Sequence, residues 1–146
     1  MATDMLSSET ELLDRQRTLQ MEAEQVARDI MLMELVQPLG DPVLVGSAAL
    51  GLMVWRDLDV TVVCTRLDID AVVQVGPPRR PLPRPLVSLG PRDDWKSDIW
   101  FVDEQARQPD LAHIKTLPSR LTDETRLAIL RVKACGRRDR KPPFRL

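Results

Sequence analysis

Several things are scarce in this chain of 146 residues, and each scarcity narrows what it can do. Its two cysteines, Cys64 and Cys135, form neither a CxxC pair nor part of a Cys/His cluster. That excludes a disulfide framework and a zinc finger, and a reducing, cytoplasmic setting is expected. The single histidine, His113, reads as a structural or surface residue, and neither Ser88 nor Ser119 sits in a GxSxG setting, so a Ser–His hydrolase has no support. No apolar run approaches the ~20 residues of a membrane span. The first residues are acidic and polar with no apolar segment, so no secretory leader is expected. A net charge of −1 gives no general electrostatic case for nucleic acid or an anionic membrane as partner. What remains is the balance of a globular domain, 43% hydrophobic and 29% charged, with length for one core.

The periodicities predict a single domain over 1–136. A helix is expected over 8–36, where Ser8 followed three places on by Glu11 makes a capping box. Leu12, Leu13, Leu19, Ala23, Val26, Ala27, Ile30, Met33 and Leu35 then recur at roughly helical spacing between charged residues. Pro38 and Gly40 end it. The central core, 42–103, opens with a strand over Pro42–Val45 and a helix over Ser47–Trp55. The run Asp57–Thr65, dense in Val and Thr, predicts a strand. Asp68 caps a helix over Ile69–Val75 that Gly76, Pro77 and Pro78 stop. Residues 77–91 hold six prolines and read as a loop, except for a strand-like Leu86–Leu89 suited to a sheet edge. Trp95–Val102 predicts another strand. Residues 109–120 read as irregular. A last helix over 122–135 carries Leu127, Leu130 and Ala134 as an apolar stripe, and the basic, proline-broken tail 137–146 is expected to be disordered. The expected fold is α/β (α+β): a mixed sheet of about four strands, helices packed mainly on one face, and Asp57, Asp59 and Asp98 on the open face.

The chemistry concentrates in VLVGSAALGLMVWRDLDVTVV, residues 43–63. Gly46 and Ser47 stand where a strand gives way to a helix, a place with free N–H groups for an anion. Asp57 and Asp59 are two apart on a strand, so both carboxylates leave the same face. Asp98 interrupts a second apolar strand. Most acid pairs on strands simply meet solvent. These stand in a run too apolar for an edge, beside an anion cradle, which favours a site. Three acids converging from adjacent strands repel one another unless a cation joins them, and Mg²⁺, a hard ion that shares its sphere with phosphates, suits that task. Lys96 and Arg56 read as solvated charges with a phosphate contact as the alternative, and Glu104 as a solvated acid with an auxiliary-base role as the alternative. Trp95 and Trp100 read as core residues. Arg79, Arg80 and Arg84 make a basic loop with no aromatic interleaved for base stacking.

The order Gly46-Ser47, nine residues, Asp57-Leu58-Asp59, then Asp98 between apolar residues resembles the nucleotidyltransferase superfamily with the polymerase-β-like palm, and most of all its minimal members. The likeness covers residues 43–102. Small members often carry an Arg before the helix glycine and a Ser or Thr before the first aspartate; here those places are Leu50 and Arg56. The resemblance implies that Gly46 and Ser47 hold the β- and γ-phosphates of a nucleoside triphosphate, with ATP the expected donor. Asp57 and Asp59 would bind Mg²⁺, and Asp98 would complete a second metal site and help deprotonate the acceptor hydroxyl. Two acceptor classes stay open, a small antibiotic-like molecule and a protein partner, and a homodimer could complete the acceptor pocket. The alternative is a catalytically inactive nucleotide- or partner-binding module of antitoxin-like type.

Overall fold

In the computed structural model, residues 2–31, 36–76, 78–80, 85–92, 95–103 and 108–139 are described. The expectations for Met33, Leu35, Arg84, Glu104 and the end of the tail lie outside them, as do those for the side chains of Ile30, Arg79 and Arg80. The described residues form α1 (Ala2–Met31), β1 (Asp41–Val45), α2 (Gly46–Leu50), β2 (Asp57–Val63), α3 (Ile69–Val75), β3 (Pro78–Arg80), β4 (Leu86–Arg92), β5 (Trp95–Val102), α4 (Pro109–Thr116) and α5 (Asp123–Asp139). A short 3₁₀ turn, Pro118–Arg120, leads into α5. The fold is the expected mixed α/β class.

Among these residues one five-stranded sheet runs in the order β1-β2-β5-β4-β3. β1 pairs antiparallel to β2, and β2 runs parallel to β5 with Leu58 opposite Ser97, Asp59 opposite Asp98 and Val60 opposite Ile99. β4 pairs antiparallel to β5, placing Ser88 opposite Asp98. Parallel neighbours need a crossover, and the stretch from α3 through β4 supplies it between β2 and β5.

Alternation sorts the two central strands cleanly. Leu58, Val60, Val62, Ile99 and Phe101 face one way and are buried with Leu19, Ala23 and Ala27 of α1 and Val72 of α3. Asp57, Asp59, Thr61, Lys96, Asp98 and Trp100 face the other way. Trp95 is in the core, as expected, whereas Trp100 is half-buried on the acid face. The acid face is not wholly open: α4 covers its Thr61 end, where the fully buried Thr61 donates Oγ1 to Asp110 Oδ2 at 3.1 Å.

Five expectations need correction. The first helix starts before Ser8, so the Ser8–Glu11 capping box lies inside α1 and caps nothing. α2 ends at Leu50 rather than Trp55, because Gly51 takes a left-handed φ of 68° and terminates it. β3 and the longer β4 occupy part of the stretch expected to be a loop, and Pro78 opens β3, a position where proline is tolerated in a strand. Residues 109–116 are helical: Pro109 occupies the first turn, where its missing N–H is no loss. α5 runs past Gly136 to Asp139, into the segment expected to be disordered.

Candidate active site on the acid face

Each site residue is placed by backbone geometry. Gly46 follows β1 directly and holds φ at 69°. A side chain there would put its Cβ 3.1 Å from Asp59 Oδ2, so the glycine lets the turn lie against the carboxylate. Asp59 and Asp98 are register partners across β2 and β5, and Asp57 lies two residues back on the same face of β2. The structure thus brings together Gly46, Asp57, Asp59 and Asp98, which the sequence separates by as many as fifty-two positions (from 46 to 98).

Charge is crowded here. Burial, then the neighbouring Asp57 and Asp98, push the Asp59 carboxyl up from 3.8 to about 6, with Lys96 opposing and Asp110 adding to the repulsion. Asp57 is also raised, chiefly by burial; Lys96, the indole N–H of Trp55 and Lys133 pull the other way and Asp98 adds to the rise. Asp98 accepts a hydrogen bond of 2.5 Å from Ser88 Oγ and pairs with Lys96 at 3.7 Å. Arg56 turns away from the site to Glu22 of α1 at 3.1 Å. His113 is exposed on α4.

The Gly-Ser element differs from its expected form. α2 has five residues and no side-chain cap at its start, so a helix dipole adds little to anion binding there. In its place Lys133 of α5 reaches across and donates to Ser47 Oγ at 2.6 Å. The same ammonium donates to the Leu52 carbonyl and lies 5.6 Å from the centre of the Trp55 ring. Burial lowers the Lys133 pKa, with Asp57 opposing.

Lys133, Asp110, Trp55 and the Ser88–Asp98 contact escaped the sequence reading. A signal existed for Lys133. It stands three residues after the fully buried Leu130 and one before Ala134, so a long cation falls on the stripe that faces the protein. Asp110 had no comparable signal, because its helix is weakly amphipathic and buries only Leu111.

Comparison with protein-family models, curated proteins and solved structures returns no match. No helix among the described residues is long and apolar enough to cross a membrane.

Whether the site suits a divalent cation turns on its donors. Three carboxylates on one sheet face offer hard oxygens, and the burial and repulsion that raise Asp59 are what a cation would relieve. Among the described residues, however, no three Asp, Glu, His or Cys side chains are gathered into a metal-holding group. Ser88 and Lys96 hold the Asp98 oxygens, and Trp55 holds Asp57. The donor chemistry and the pairing of Asp59 with Asp98 across β2 and β5 fit magnesium.

Proposed function

We propose that the protein is a metal-dependent nucleotidyltransferase, moving a nucleoside monophosphate from a nucleoside triphosphate to a hydroxyl acceptor and releasing pyrophosphate. The observation that carries this reading is the direct pairing of Asp59 with Asp98 across β2 and β5, with Asp57 on the same face and Gly46 packed on Asp59. Burial and neighbouring acids raise Asp57 and Asp59, a cost unless the site uses them. Asp57, Asp59 and Asp98 would hold magnesium, which when bound neutralises the triphosphate and stabilises an in-line displacement at the α-phosphorus.

The chain's own groups account for the other tasks. Gly46 brings the turn against Asp59, and Ser47 would offer a hydroxyl to the β- and γ-phosphates. Asp98, which now accepts from Ser88, would take the proton of the acceptor hydroxyl, and Ser88 would orient that carboxylate. ATP is the expected donor. The acceptor is a small hydroxylated molecule or a protein side chain, and a second copy of the chain could supply a wall of the acceptor pocket.

Pyrophosphate release from Mg-ATP across a panel of acceptors tests the reaction, and isothermal titration tests binding. Mg-ATP binding by the wild-type protein that is lost in the Asp57→Ala/Asp59→Ala variant supports the reading; binding unchanged in that variant sinks it. One observation favours a second reading, a catalytically inactive nucleotide- or partner-binding module: Asp98 is engaged by Ser88 and Lys96 rather than directed towards the other acids. In that case binding persists without magnesium and no acceptor yields pyrophosphate.

A further inference from the structure

α5 sends two cations over α2, and they do different work. Arg126 meets the end of that helix, donating Nη1 to the carbonyls of Leu50 and Gly51. Seven residues on, Lys133 meets its beginning, at the Ser47 hydroxyl. Arg126 satisfies carbonyls that a helix terminus leaves without partners, a structural task. Lys133 is harder to account for that way. Its ammonium is half-buried, yet its hydrogen-bond partners, Ser47 Oγ and the Leu52 carbonyl, are both neutral, and among the described residues it makes no ion pair, Asp57 acting on it only at longer range. A charge taken partly out of water is normally paired. An ammonium has three donors, and two are used here. The Trp55 ring, 5.6 Å away, confines it without neutralising it.

Resting on the nucleotidyl-transfer reading of the site, we infer that Lys133 binds the donor's phosphates: its ammonium, held against Ser47, pairs with the terminal phosphates of the triphosphate seated at Gly46-Ser47. Asp59 packs on Gly46, and the Lys133 ammonium sits at the neighbouring Ser47, within electrostatic reach of Asp57. A metal-bridged triphosphate held by the acids and that ammonium would meet positive charge at both ends. The last helix, beyond the stretch that carries the family resemblance, thereby becomes part of the donor site.

The test compares Mg-ATP with Mg-AMP, because only the former carries the phosphates that Lys133 would contact. Isothermal titration of both into the wild-type protein and Lys133→Met is expected to show wild type preferring ATP, and the variant losing about ten- to a hundredfold in ATP affinity with little change for AMP, as befits one charge-assisted hydrogen bond. A purely structural lysine would weaken both nucleotides alike. Equal losses for the two nucleotides, or a preference for ATP as large in the variant as in wild type, would overturn the role of Lys133 while the nucleotide site stands. Wild-type protein that binds neither nucleotide would overturn the site and this inference together. A measurement on the wild-type chain needs no variant to fold: amine acetylation at Lys133, followed by mass spectrometry, should be slowed by Mg-ATP and much less by Mg-AMP. Equal acetylation under ATP and AMP would sink the inference.

Discussion

Gly46 and Asp59 meet across the β1–β2 turn so closely that any side chain at position 46 would press on the carboxylate, its Cβ 3.1 Å from Oδ2. With φ at 69°, the position also lies where an L-residue pays a steric cost of about 1–2 kcal/mol. Gly46→Ala should therefore lower stability by about that amount and shift Asp59 within the site. Urea denaturation reads the first effect and Mg-ATP affinity the second. An alanine variant with wild-type stability would mean that the turn relaxes freely.

Asp59 itself should be a stability cost that function retains. Its carboxyl is raised in the folded state from 3.8 to about 6, so the native protein holds that proton more tightly than the unfolded chain does. The penalty is full above about pH 6, shrinks as pH falls through that value and vanishes below 3.8. The gap corresponds to roughly 3 kcal/mol at neutral pH, and solvent screening at a half-buried group reduces it to the order of 1–2 kcal/mol. Asp59→Asn should thus be the more stable protein at pH 7.5, with the difference closing by pH 4. Millimolar Mg²⁺ should raise the thermal midpoint of wild type and not that of the variant. Denaturation midpoints at both pH values, with and without the ion, check the sign.

How legible the site was depends on how local its causes are. β5 and α3 match the expected Trp95–Val102 and Ile69–Val75, and β2 differs from Asp57–Thr65 only at its end, because runs of β-branched residues and an Asp68 cap act over a few positions. The helix expected to reach Trp55 stops at Leu50, where Gly51 is the one local signal and the rest of the cause is distant. The backbone of residues 50–54 is held from afar: Gln16 accepts from the Met53 N–H at 2.9 Å, Arg15 donates to the Val54 carbonyl at 3.3 Å, and Arg126 and Lys133 bind the carbonyls of residues 50–52. The three acids were legible because strand alternation fixes their face. Lys133 and Asp110 come from helices beyond residues 43–102, and of the two only Lys133, on the buried stripe of α5, left a signal in the sequence.

Asp110 extends the acid cluster to a fourth member. It sits half-buried, takes the Thr61 hydroxyl at 3.1 Å and adds to the repulsion on Asp59. Asp110→Asn should therefore move the Asp59 midpoint modestly below about 6, read by carboxyl NMR titration. Thr61→Val, nearly isosteric, should cost about 1 kcal/mol by removing one donor at a fully buried position. An Asp59 midpoint indifferent to Asp110→Asn would remove α4 from the electrostatics of the site.

Arg126 offers the control that separates support from function on α5. Its Nη1 donates to the Gly51 carbonyl at 2.9 Å and to the Leu50 carbonyl, both at the end of α2. These carbonyls gain a charge-assisted partner from a helix more than seventy residues away in sequence. Arg126→Met keeps much of the stem and removes the donors, and should lower stability by about 1.5–3 kcal/mol. It should leave the ratio of Mg-ATP to Mg-AMP affinity near the wild-type value, because Arg126 faces the end of α2 away from Ser47. The contrast with Lys133→Met is then direct: one substitution shifts the denaturation midpoint without touching phosphate discrimination, and the other cuts the discrimination about ten- to a hundredfold. If Arg126→Met cut it as much, the two cations would act through the placement of α5 rather than through a phosphate contact by Lys133.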